Sequence, residues 1–121
     1  MGLLVVGMKT EAKHILLDIW KPKNINLDSP RDLIKLCKDI AEASKCKVLR
    51  VSSFHFMPYG VSVVVLIAES HVSVHTYPEH DYLAIDIFTC GETDPELGSK
   101  YALSFLDPVH YNKQVINRGV K

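Results

Sequence analysis

Val61-Ser62-Val63-Val64-Val65-Leu66-Ile67-Ala68 is the stretch on which the fold turns. Four valines and an isoleucine in eight residues predict a β-strand. Its parity is unusual. Val61, Val63, Val65 and Ile67 share one face, and Val64, Leu66 and Ala68 share the other. A strand that is apolar on both faces is normally buried on both.

Working outward, Met57-Pro58-Tyr59-Gly60 reads as a turn, and Val48 to Phe56 before it as a second strand. Downstream, His71 to Thr76 is a short β-branched segment, and Tyr82 to Thr89 is a strand with Leu83, Ile85 and Ile87 on one face. His14 to Trp20 and Val109 to Asn117 complete the strands. Ser29-Pro30-Arg31-Asp32 predicts a helix start, with Ser29 as N-cap, Pro30 at N1 and Asp32 closing a capping box. Leu33, Leu36, Cys37, Ile40 and Ala43 then recur at helical spacing, up to about Lys45. Thr93-Asp94-Pro95-Glu96 opens a second helix that runs to about Leu106. The order β-α-β-β-β-β-α-β, with hairpin-length links in the middle, predicts an α+β domain. Both helices pack on one face of an antiparallel sheet, as a two-layer sandwich. Two helices cover one face only, so the doubly apolar strand predicts a homodimer that buries the other.

Composition narrows the function. The 121 residues fit one domain, 1–121, and 14 basic side chains balance 14 acidic ones. A neutral chain lacks the excess of Lys and Arg that binding nucleic acid requires. The longest apolar run is far short of the roughly 20 residues that span a membrane. Cys37, Cys46 and Cys90 are odd in number and not at metal-ligand spacing, which predicts free thiols and a cytoplasmic protein. Residues 1–8 are apolar but lack the basic start of a signal peptide; they read as a short strand or as a run-in to an alternative start at Met8.

Polar residues concentrate between Ser62 and Cys90. His71 and His75 would share a metal on a helix, but on a strand residues four apart lie about 13 Å from each other. No metal is therefore expected. Cys90 before Gly91 could be a nucleophile with His75 as base, yet no established nucleophile frame surrounds it.

A third reading comes from the longer string. Glu69-Ser70-His71-Val72-Ser73-Val74-His75-Thr76-Tyr77-Pro78-Glu79, followed by Asp86-Ile87-Phe88-Thr89-Cys90-Gly91-Glu92, resembles the short prokaryotic S-adenosylmethionine decarboxylases. Phe54-His55-Phe56-Met57-Pro58-Tyr59-Gly60-Val61-Ser62 is similar to that family's approach to its cleavage site, and the likeness runs from about Lys13 to about Gly119. It implies a pyruvoyl-dependent enzyme, made as a proenzyme that cuts itself at Glu69-Ser70 into 1–69 and 70–121. Ser70 would become the pyruvoyl group, which binds the substrate amine as a Schiff base and serves as an electron sink, as pyridoxal phosphate would. The product is the aminopropyl donor for polyamine (spermidine) synthesis.

By the same resemblance Ser62 and His75 assist processing, with His75 taking the α-proton during elimination. Cys90 returns a proton to the carbanion, Glu79 binds ribose hydroxyls, and Phe56 stacks on adenine. From the residues alone each has a plainer reading: a backbone-bonded hydroxyl, a core imidazole, a buried apolar thiol, a turn carboxylate and a packed ring. Tyr77 stands where the family usually has Trp, and Val63 where Gly is common, so arginine or ornithine is an alternative substrate. An uncleaved homologue acting as a binding or regulatory partner is the alternative of another class. On a regular strand Ser70 and His75 face opposite sides, which predicts a break at Glu69-Ser70.

Overall fold

The computed structural model describes residues 10–121, so the readings made for residues 1–8 lie outside the described residues. Six strands form one fully antiparallel sheet: β1 (Ala12–Trp20), β2 (Val48–His55), β3 (Val61–Ile67), β4 (Ser70–Tyr77), β5 (Tyr82–Cys90) and β6 (His110–Arg118). Their order in space is β2-β3-β4-β5-β1-β6. The helices α1 (Pro30–Ala43) and α2 (Pro95–Leu106) cover one face. The α+β two-layer reading therefore holds, and strand and helix ends fall within two residues of those expected. A single 3₁₀ turn, Pro78–His80, was not anticipated.

Alternation builds the core. Ile15, Leu17 and Ile19 of β1, Val61, Val63, Val65 and Ile67 of β3, Val72 and Val74 of β4, and Leu83, Ile85 and Ile87 of β5 are buried beneath the helices. From α1 come Leu33, Leu36, Cys37, Ile40 and Ala41. Ala41, not the expected Ala43, completes that face.

The caps explain where the helices start. The Ser29 side chain accepts a hydrogen bond from Asp32 N, and Pro30 occupies the first turn. The other arm of the expected capping box does not form: Asp32 Oδ2 accepts from Asn26 N at 3.0 Å, and Ser29 N donates to Asn26 O. Aspartate is one methylene shorter than the glutamate that usually reaches back. Asp94 caps α2 through Glu96 N. The helices meet where Gly98 of α2 leaves room for Ser44 and Ile40 at the end of α1.

Among the described residues, no helix covers the opposite face of the sheet. There Val64 is 43% exposed and Leu66 46%, while their neighbours Val63 and Val65 are fully buried. The doubly apolar strand is thus buried on one face within this chain.

Candidate active site

Two clusters hold the site residues expected from the sequence. The first is the β3–β4 hairpin, whose two-residue loop is Ala68-Glu69. Glu69 adopts φ +75°, a left-handed conformation that costs a side-chain-bearing residue about 1–2 kcal/mol. The Ser70 hydroxyl donates to the Glu69 carbonyl oxygen. Cys90 Sγ lies 3.8 Å from the same oxygen. A nucleophile thus sits against the carbonyl of its own preceding peptide, with a thiol on the oxygen that would gain charge. Thr93 Oγ1 donates to Cys90 O at 2.8 Å and fixes the end of β5. Beside Cys90 opens a cleft of about 720 Å³, lined by Glu11, Lys13, Thr89, Thr93 and Asn117 among others.

The second cluster lies at the other end of the open face. Ser62 and His75 are cross-strand partners, and Ser62 Oγ is 2.7 Å from His75 Nδ1. That bond orients the ring and leaves Nε2 for proton transfer. Phe56 stands on the adjoining β2–β3 turn, 45% exposed, against the edge of Phe54 at 4.8 Å between centroids. Glu79 is exposed in the 3₁₀ turn that follows β4. Tyr77 stacks on Tyr82, which meets Trp20 at 5.1 Å. With His75, His80 and Ala84 these rings line a shallow pocket of about 660 Å³. Burial and the hydrogen bond to Asp18 push the Tyr82 phenol up to about 12.

Ser62 and His75 therefore come together, as do Glu69, Ser70 and Cys90, but the two clusters stay apart. Ser70 and His75 are five residues apart on one regular strand, about 17 Å at 3.3 Å per residue. The break that parity called for lies at Glu69, upstream of Ser70. Ser70 keeps the helix-facing parity of Val72 and Val74, and His75 stays on the open face.

Other residues were not foreseen. Between the clusters His14, His71 and Phe88 pack ring against ring, with Asp86 Oδ2 3.8 Å from His14 Nε2 and Arg118 Cζ 4.6 Å above Phe88. Burial, and next the His14 imidazole, lower the His71 pKa. His71 and His75 lie on the same strand face, four residues apart. Trp20 and Asp28 also reach the second cluster, through contacts across the sheet that no local spacing announces.

Comparisons with known proteins fit this geometry. Residues 13–119 match the family model described as S-adenosylmethionine decarboxylase. The S-adenosylmethionine decarboxylase proenzyme 2 of Bacillus cereus is 40% identical over 112 residues, covering 92% of this chain and 91% of that one. The S-adenosylmethionine decarboxylase proenzyme of Methanococcus maripaludis is 37% identical over 119 residues, covering 93% of each. The crystal structure of the adenosylmethionine decarboxylase from Aquifex aeolicus superposes with a TM-score of 0.84 at 32% identity, over 93% of this chain and 94% of that one. Sequence and fold agree, and the chain belongs to the S-adenosylmethionine decarboxylase family.

Proposed function

We propose that this chain is a proenzyme that cuts itself between Glu69 and Ser70 and then, as a face-to-face dimer, decarboxylates S-adenosylmethionine. The observation that carries the reading is the Glu69 carbonyl, held in a strained hairpin against the Ser70 hydroxyl. Attack of Ser70 Oγ on the Glu69 carbonyl carbon breaks the peptide C–N bond and forms an ester. Removal of the Ser70 α-proton then expels the Glu69 carboxylate and leaves dehydroalanine. Tautomerisation and addition of water release ammonia and leave a ketone at the new N-terminus. The products are residues 1–69 and 70–121.

Ser70 and its surroundings fit the pyruvoyl group that this sequence of steps makes: the residue opens a strand beside a thiol and a cleft. That group supplies the electron sink for loss of carbon dioxide. Cys90 Sγ–H delivers a proton to the substrate carbon once carbon dioxide has left. His75, oriented by Ser62, takes the α-proton during self-cleavage. Phe56 offers a flat face to adenine, and Glu79 an acceptor pair to the ribose diol.

A dimer resolves the separation of the clusters. Within one chain His75 is some 17 Å from Ser70 and on the other face of the sheet. A two-fold axis through the open face sets one end of each sheet over the opposite end of its partner. Cys90, on the open face, and Ser70 beside it at the end of its strand would then approach Ser62, His75, Phe56 and Glu79 of the other protomer, and Val64 and Leu66 would be covered.

Intact-mass measurement tests the reading. Two chains split at Glu69/Ser70, the second with a carbonyl N-terminus, are expected, and a Ser70→Ala chain stays whole. One uncut chain after long incubation would mark an unprocessed, regulatory homologue. Parallel release of carbon dioxide from S-adenosylmethionine, arginine and ornithine is expected with the first alone.

A further inference from the structure

Asp28 lies in the loop between β1 and α1, far in sequence from either cluster, and together with Leu27 it joins three segments of the second one. Its Oδ1 accepts from Gly60 N at 2.8 Å and lies 3.0 Å from His55 Nε2. These two donors flank Phe56 on the β2–β3 turn. Phe56 N donates to Gly60 O at 2.7 Å and closes that turn. Gly60 adopts φ +113°, and a Cβ there would touch the Thr76 carbonyl at 3.4 Å and the Phe56 side chain at 3.9 Å. The Phe56 side chain therefore lies beside Gly60, whose N–H Asp28 holds.

The residue before Asp28 completes the brace. Thr76 Oγ1 donates to Leu27 O at 2.7 Å and accepts from Val61 N at 2.8 Å. Thr76 follows His75 on β4, and Val61 precedes Ser62 on β3. Leu27-Asp28 thus ties the aromatic turn to the two strands that carry the Ser62–His75 pair. The Gly60 N–H, and next His55, hold the Asp28 carboxyl below its ordinary value, as expected of an ionised acceptor with two donors.

We propose that Asp28 is a positioning residue for substrate binding, and that it fixes the Phe56 turn at the distance from His75 that the bound purine requires. The inference rests on the functional reading above, because Phe56 must contact substrate for its placement to matter. Asp28 itself touches neither Ser70 nor Cys90, so self-cleavage and the chemical step should feel its loss less than binding does.

Three variants of the full chain decide the point: Asp28→Ala, Asp28→Asn and His55→Ala. Each is followed by intact mass for cleavage at Glu69/Ser70, and by KM and kcat for S-adenosylmethionine. Asp28→Ala is expected to cleave and to keep kcat within about threefold, while KM rises about tenfold, as for loss of two hydrogen bonds to a charged acceptor. Asp28→Asn keeps an oxygen for Gly60 N and should recover most of that rise. His55→Ala removes one donor and should raise KM by a smaller factor. An unchanged KM in Asp28→Ala overturns the proposal, and so does an equal fall of kcat and of cleavage with no recovery in Asp28→Asn. Should Asp28→Ala not fold, Asp28→Asn with wild-type KM and His55→Ala with raised KM support it, and unchanged KM in His55→Ala overturns it. Failure of the wild-type chain to cleave or to release carbon dioxide instead removes the functional reading itself, and is seen before any variant is compared.

Discussion

Co-expression of two dead chains tests whether the active site is shared between protomers. Take one chain with Ser70→Ala and a differently tagged one with His75→Ala. In a homodimer of the first, no cluster has its nucleophile. In a homodimer of the second, every Ser70 faces a missing base, and loss of a general base slows its step by about 10²–10⁴-fold. In the mixed dimer one shared site has lost both groups and the other retains both. Random pairing makes about half of all dimers mixed, so about half of the His75→Ala chains, a quarter of all sites, should cleave and turn over substrate. The structure makes the alternative sharp. If one chain held its own complete site, each chain would lack one essential group, and the mixture would yield nothing. The geometry forbids that arrangement without rebuilding β4, since the two side chains lie about 17 Å apart on opposite faces. Affinity capture through one tag, then the other, isolates the mixed dimer, and its fragment masses and carbon dioxide release are read directly. A captured mixed dimer with no cleaved chain refutes the shared site.

Three further outcomes follow from the packing. A Cβ at Gly98 would overlap the Ser44 hydroxyl and press on the Ile40 carbonyl at 3.0 Å, so Gly98→Ala should push α2 from α1, cost about 1–3 kcal/mol and lower Tm by roughly 5–15 °C in thermal unfolding. Cys37 is fully buried in α1 and burial pushes its thiol up, so a thiol reagent on the native chain should spare it and label it only after denaturation; labelling of Cys37 in the folded protein would contradict the packing. Asp28 has a folded pKa below its ordinary 3.8, chiefly through Gly60 N–H and next through His55, so its stabilising contribution is complete above that value and fades as pH falls through the lower, folded one. Melting curves between pH 5 and 2 should fall less steeply for Asp28→Asn than for wild type, and equal slopes would show that the carboxylate holds nothing.

Strand parity was the strongest signal in the sequence, because a half-buried antiparallel strand writes its two environments into alternate residues. Tyr82 to Cys90 placed Leu83, Ile85 and Ile87 beneath the helices without reference to any other segment. Both helix starts were equally local, since a serine or aspartate followed by proline meets the orphan N–H groups in only one way. What spacing left out is non-local. The insertion of β1 between β5 and β6 depends on pairings across most of the chain. The Asp28 bridge to Gly60 spans 32 residues, and neither residue is distinctive alone. The proposed cleavage site stood out only through its resemblance as a whole string, since a Glu-Ser-His triplet has no physical signature alone.

Parity also settled more than the fold. Ser70 and His75, at odd separation on one strand, were on opposite faces in the sequence already, and the hairpin loop does not undo this. An odd spacing cannot be mended by a bend upstream of both residues, because the bend turns the whole strand and leaves its alternation intact. Within one chain the two groups therefore stay apart, and Val64 and Leu66 offer a surface on which the proposed second sheet would sit. The proposed dimer would account at once for the exposed apolar residues and for the separation of Ser70 from His75. A substitution such as Leu66→Lys should accordingly fail in assembly and in cleavage at once, with the folded monomer intact by circular dichroism. Normal cleavage in that monomer would separate the two, and would return His75 to a structural role.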